Sequence, residues 1–132
     1  MRKNYKDLAV LASKVKEQAY APYSHFKVGA VLITNKNIYY GANIENSSYS
    51  LSMCAERVAI FKAVADGNVK GDFLSIILNG NTINPICPCG ACLQVMNEFF
   101  NQSTDIVLSN ENLKLKVYKI TDLLPLGFGD LF

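Results

Sequence analysis

Two short segments carry most of the chemical potential of this chain: Cys54-Ala55-Glu56 and Pro88-Cys89-Gly90-Ala91-Cys92. A Cys-x-x-Cys pair has the ligand spacing of a tetrahedral metal site, and Cys54 adds a third thiolate from far upstream. Four cysteines allow several disulfide pairings, but Cys87, Cys89 and Cys92 crowd together while Cys54 stands apart, so metal is the better reading. Thiolate ligation also suits a reducing compartment. Zinc is the natural ion, since it tolerates three thiolates and keeps tetrahedral geometry without redox chemistry.

The fourth position around such an ion decides what the protein does. If water occupies it, zinc makes hydroxide available near neutral pH, and Glu56 can accept and return the proton. Glu56 is two positions from Cys54 and so does not share its helical face. At a helix's first turn, however, it can flank a pocket whose metal lies beyond the helix end. If Cys87 completes the set instead, the site is a closed four-cysteine structural centre. Pro88 separates Cys87 from Cys89 by an awkward step, so the plainer expectation for Cys87 is a small buried or partly buried thiol. Three thiolates and a hydroxide leave net negative charge on zinc. Arg57 would offset it by donating to sulfur, its plainer role being an ordinary exposed helix arginine.

These groups need elements to hold them. Leu8, Leu11, Ala12, Val15 and Ala19 recur at helical spacing and predict an amphipathic helix over Tyr5 to Ala19. Val28, Ala30 and Leu32 alternate up to Asn35-Lys36-Asn37, and a return strand over Ile38 to Glu45 completes a hairpin that feeds a long polar loop. Cys54 opens a second helix, which Gly67 stops. Phe73 to Leu78 reads as a buried strand, Pro88 precedes a third helix through Cys92, Met96 and Phe99, and Asp105 to Leu108 and Leu115 to Ile120 read as two more strands. Five strands and three helices in this order predict an α/β fold, with helices on both faces of a mixed sheet.

Composition narrows the class. The 132 residues make one domain, 1–132, and 50% apolar against 18% charged residues indicates a globular core. A formal charge of +2 is too small to suggest binding to a nucleic-acid polymer through electrostatics alone. The first apolar stretch, Leu8 to Ala12, is too short for a secretion signal, and no apolar run approaches the roughly 18 residues of a spanning helix. A soluble, cytoplasmic protein with no membrane partner is expected. The single histidine, His25, is expected to serve local hydrogen bonding or packing rather than metal. The apolar tail of Leu123, Leu124, Leu126 and Phe128 either covers the chain's own core or buries against another subunit.

Four segments together resemble the small, tetrameric cytidine deaminases. They are Ala21-Pro22-Tyr23-Ser24-His25-Phe26-Lys27-Val28-Gly29-Ala30, Gly41-Ala42-Asn43-Ile44-Glu45-Asn46-Ser47-Ser48-Tyr49, Cys54-Ala55-Glu56-Arg57, and Pro88-Cys89-Gly90-Ala91-Cys92-Leu93-Gln94-Val95. The resemblance implies a three-layer α/β/α fold with a mixed five-stranded sheet. It also implies hydrolytic deamination of cytidine and deoxycytidine, with one Zn2+ per subunit on Cys54, Cys89 and Cys92 and with Glu56 as proton shuttle. It assigns the Ala55 N–H to the base, Asn43 and Glu45 to the ribose hydroxyls, and Phe26 to packing beside the nucleoside. A homotetramer with shared active sites would give Ser47, Tyr49 and Phe128 roles across interfaces. Two positions depart from the family pattern: Leu93 stands where many relatives carry Arg, and Cys87 where Ser is common.

Two other functions fit part of this pattern. A deaminase of another cytosine-bearing small molecule, such as a nucleoside antibiotic, would share the metal chemistry while Asn43 and Glu45 lost their ribose rationale. A non-catalytic structural zinc module would need neither an open ligand position nor a proton shuttle.

Overall fold

The structure, a computed structural model, describes residues 4–129. Asn4 caps the first helix, α1 (Tyr5–Val15), its Oδ1 accepting from the amides of Lys6 and Asp7 at 3.0 and 3.3 Å. A 3-10 turn, Lys16–Gln18, finishes that helix, and Ala19 is already extended. Strands β1 (Val28–Thr34) and β2 (Ile38–Ala42) form the expected hairpin, closed by the Thr34 amide donating to the Asn37 carbonyl at 3.0 Å. Then come α2 (Ala55–Ala65), β3 (Phe73–Gly80), α3 (Gly90–Phe99), β4 (Asp105–Ser109), β5 (Leu115–Tyr118) and a short α4 (Ile120–Leu123).

The sheet order is β2-β1-β3-β4-β5, with only β3 and β4 parallel, so the sheet is mixed. Alternation along the central strands divides the core in two. Val31, Ile33, Ile77 and Val107 face α1 through Ala9, Ala12 and Val15. Ala30, Leu32, Ile76, Leu78, Ile106 and Leu108 face the opposite side, where Ala59, Ile60 and Ala63 of α2 and Cys92, Leu93 and Met96 of α3 cover them. The arrangement is the expected three-layer α/β/α fold.

Gly41 explains how closely α2 sits on its edge of the sheet. A Cβ there would lie 2.3 Å from the Ala55 carbonyl oxygen and 2.7 Å from the Ala59 amide nitrogen, so only glycine admits the helix. The first turn of α2 is thereby fixed against β2.

The ends of two strands depart furthest from the sequence-based expectation. The return strand ends at Ala42 because Ile44 leaves the sheet to form isolated bridges with Tyr20 and Met53. The last strand ends at Tyr118, and the chain turns into α4 as the Lys119 amide donates to the Asp122 carboxylate at 2.8 Å. Of the apolar tail, only part covers the chain's own core. Leu123 and Leu124 pack on the core, whereas Leu126 and Phe128 are exposed.

Candidate active site

Both helices on the inner face begin with a cysteine. Cys54 is the N-cap of α2 and Cys89 that of α3, and neither side chain caps its own helix by a hydrogen bond. Serine, threonine or aspartate at such a position would normally absorb a first-turn amide. Here the sulfurs are left for something else, beside amides that favour thiolate. Cys92, one turn into α3, is fully buried, and the Sγ atoms of Cys54, Cys89 and Cys92 all lie within 4.8 Å of one another. Cys54 and Cys89 are 3.8 Å apart. Two sulfurs at the usual Zn–S distance of about 2.3 Å and the tetrahedral angle would be separated by about 3.8 Å, so the donor set fits zinc in both chemistry and spacing.

Charge favours a metal here too. The Cys54 thiol is pulled below its ordinary range first by a hydrogen bond from Cys92, then by Arg57 and Cys89, against the opposing effect of burial. Cys92 is pushed up correspondingly by its bond to Cys54 and by burial. Arg57 Nη2 donates to Cys54 Sγ at 3.4 Å, so this guanidinium stands beside the cluster rather than in solvent.

Glu56 opens the buried stripe of α2 that continues through Ala59, Ile60 and Ala63. Its residue exposure is 5%, and burial pushes its carboxyl up to about 7. A carboxyl balanced near neutrality can both take and give a proton at physiological pH. It lines a cavity of about 260 Å³ together with Cys54, Ala55 and Cys89.

Phe26, Asn43, Glu45 and Tyr49 line the same cavity, so the structure brings these residues together with Glu56 and two of the three metal-site cysteines. Internal hydrogen bonds hold two of them. Asn43 Oδ1 accepts from the Val28 amide at 2.9 Å, and its Nδ2 donates to the Phe26 carbonyl at 2.8 Å. Glu45 accepts from the Tyr23 and Ser24 amides, both at 3.1 Å, and from the Ser24 hydroxyl. The Ser24 bonds, hydroxyl first, hold its carboxyl below the usual range. Each side chain thus positions the segment 23–28 as well as facing the cavity.

Ser47 and Phe128 do not line it. Ser47 is exposed, while the Phe128 carbonyl accepts from Gln94 Nε2 at 2.8 Å and Asn97 Nδ2 at 3.0 Å and its side chain is exposed. Cys87 corrects the expectation of a buried or partly buried thiol: it is exposed, on the cavity wall, and outside the three-sulfur group. Pro88, between Cys87 and Cys89, is buried instead. His25 stands apart from that group, in a left-handed conformation with φ 59°, its amide donating to the Ala21 carbonyl at 3.0 Å.

Ser52, Met53 and Ile86 also line the cavity, although no sequence signal marked them. Met53 arrives through its backbone pairing with Ile44, a contact that periodicity does not announce. Among the described residues no helix is long and apolar enough to cross a membrane.

Comparison with known proteins agrees with this geometry. The sequence model for the cytidine and deoxycytidylate deaminase zinc-binding region matches residues 2–108. A cytidine deaminase of Sporosarcina psychrophila is 46% identical over 119 residues, 89% of this chain and 86% of that protein. One from Halalkalibacterium halodurans is 42% identical over 118 residues, 89% and 88% of the two chains. The crystal structure of cytidine deaminase from Burkholderia pseudomallei superposes with a TM-score of 0.91 at 46% identity, covering 96% of this chain and all of that one. Likeness of this extent, in sequence and in backbone, means that the chain belongs to the zinc-dependent cytidine deaminase family of enzymes.

Proposed function

We propose that the protein hydrolyses cytidine and deoxycytidine to uridine and deoxyuridine with release of ammonia. The observation that carries this reading is a buried carboxyl, Glu56, sharing one cavity with Cys54 and Cys89 of a three-sulfur cluster. Cys54, Cys89 and Cys92 would hold one Zn2+ per subunit. Bound zinc supplies acidity to water, making a nucleophile available at neutral pH.

The residues of the chain do the rest. Glu56 takes the proton from that water and delivers it to N3 of cytosine, which leaves C4 more electrophilic. The water oxygen bonds to C4, and the carbonyl forms as the C4–N bond breaks. A second transfer through Glu56 protonates the departing amino group, which leaves as ammonia. In this reading the Ala55 amide, at the start of α2 and on the cavity wall, binds the base. Asn43 and Glu45 face the same space with donor and acceptor groups suited to ribose hydroxyls, and Phe26 offers a ring for the base to pack on.

The reading extends to a single domain over 1–132 and to a cytoplasmic location, which the thiol-rich centre suits. It also includes a homotetramer in which Ser47, Tyr49 and Phe128 of neighbouring subunits complete each pocket. The exposure of Tyr49 (73%) and Phe128 (68%) supports this, since both are large apolar surfaces with no cover in a single chain. Sedimentation equilibrium should give about 58 kDa for four chains. The decisive assay is ammonia release from cytidine, deoxycytidine and free cytosine by the zinc-loaded protein and its Glu56→Gln variant. Turnover of the two nucleosides, lost by about 10²–10⁴-fold in the variant, is expected. Near-normal turnover by Glu56→Gln, or preference for free cytosine, would overturn the assignment.

A further inference from the structure

A buried polar cluster occupies the far face of the sheet, under α1, and the reaction as described makes no use of it. Lys16 is 6% exposed, and Asn79, Ser109 and Asn110 are 0%, 0% and 2% exposed. The close approach of α1 to β1 buries the lysine, for a Cβ on Gly29 would lie 2.1 Å from the Ala12 carbonyl oxygen and 2.6 Å from the Lys16 amide nitrogen. Lys16 Nζ donates to Asn79 Oδ1 at 3.0 Å and to Asn81 Oδ1. Neither acceptor is a carboxylate. Burial lowers its ammonium from the ordinary lysine range, against the raising influence of Glu17 and Glu111.

A lysine this deep is costly unless its donors are satisfied. One of its acceptors belongs to the sheet, but the other belongs to the loop of residues 81–89 that ends at Cys89. The rest of the cluster grips that loop as well. Asn79 Nδ2 donates to Ser109 Oγ and to the Asn110 carbonyl, both at 2.9 Å. Asn110 Nδ2 in turn donates to the Ile83 carbonyl at 2.6 Å, and the Ile86 amide donates to the Ser109 carbonyl at 3.3 Å. Gly80 leaves room for Ile86 to fold over the end of β3, since a Cβ there would come within 2.9 Å of Ile86 Cδ1. The loop is therefore tied at Asn81, Ile83 and Ile86 before it delivers Cys87 to the cavity wall and Cys89 to the sulfur cluster.

We propose that Lys16, acting through Asn79 and Asn81, is a positioning residue for the metal centre: it fixes the loop that presents Cys89, from the opposite face of the sheet. The inference rests on Cys89 being a metal ligand, as in the function proposed above. Buried networks whose every member is bonded impose one arrangement, and groups that orient a ligand tune the metal it holds.

The test uses metal signatures rather than turnover. Cobalt(II)-loaded protein reports sulfur geometry through its visible absorption, and zinc release to a chelator reports how firmly the site is held. Lys16→Met and Asn81→Ala should each alter the cobalt bands and speed zinc release roughly tenfold. Asn81→Asp keeps an acceptor for Lys16 and should restore both. Val31→Ala, in the core on the α1 side, should lower stability and leave both unchanged. Should Lys16→Met not fold, Asn81→Ala, at an exposed loop residue, carries the test. A native cobalt spectrum and native zinc release in Asn81→Ala would overturn this inference alone. Failure of the unsubstituted protein to bind cobalt through sulfur would overturn it together with the function proposed above.

Discussion

Arg57 Nη2 donates to Cys54 Sγ across 3.4 Å, three positions along the chain. Because Cys54 is the N-cap and Arg57 lies in the first turn of α2, the local helix geometry is enough to bring a permanent cation to the sulfur. In the proposed metal site three thiolates on a divalent ion would carry excess negative charge, which this guanidinium would offset without competing for the metal. Replacing it should weaken zinc binding. Arg57→Ala is expected to lose about 10–100-fold in zinc affinity, measured by competition with a chromogenic chelator, while far-UV circular dichroism stays native.

Glu56 makes the metal-free protein sensitive to pH, with a sign set by burial. Its carboxyl ionises near 7 when folded against an ordinary value of 4.5. Below pH 4.5 it is neutral in both the folded and unfolded chains, and its contribution is fully present. As pH rises to about 7 the unfolded chain ionises first, and the folded state loses up to about 3 kcal/mol. Glu56→Gln removes that loss. Urea denaturation of the metal-free proteins should show the variant gaining on the parent between pH 4.5 and 7, and the difference levelling off above.

Gly41 should be intolerant of even a methyl group. The Ala55 carbonyl and Ala59 amide leave no space for one, so Gly41→Ala must push the start of α2 away from β2. Overpacking of this kind costs about 1–3 kcal/mol. A lower thermal midpoint is expected together with weaker zinc binding, because the displaced turn carries Cys54. Equivalent loss of stability with undiminished zinc affinity would show that Cys54 does not depend on this contact.

Much of the fold and the site was legible beforehand for local reasons. The spacing of Cys54, Cys89 and Cys92 points to the three-sulfur group that the fold brings together, and the apolar run at Phe73 declares a central strand by length. What escaped was set by tertiary contact. Nothing in the helical spacing of Leu8, Leu11, Ala12 and Val15 marks Lys16 as buried, yet the close approach allowed by Gly29 on β1 covers it. The bonds that Glu45 accepts from Ser24, 21 positions earlier, leave no mark in the spacing of the sequence. The helix Ile120–Leu123 is too short to show periodicity within an apolar tail. The awkward step across Pro88 argues Cys87 out of the ligand set and into the packed interior, yet the thiol is exposed and it is the proline that is buried.

The central claim is a metal held by three sulfurs with one position left for water beside Glu56. X-ray absorption at the zinc edge of the loaded protein tests it most directly. Three sulfur scatterers at about 2.3 Å and one oxygen or nitrogen are the expected result. Four sulfur scatterers, with Cys87 joining the other three, would contradict it.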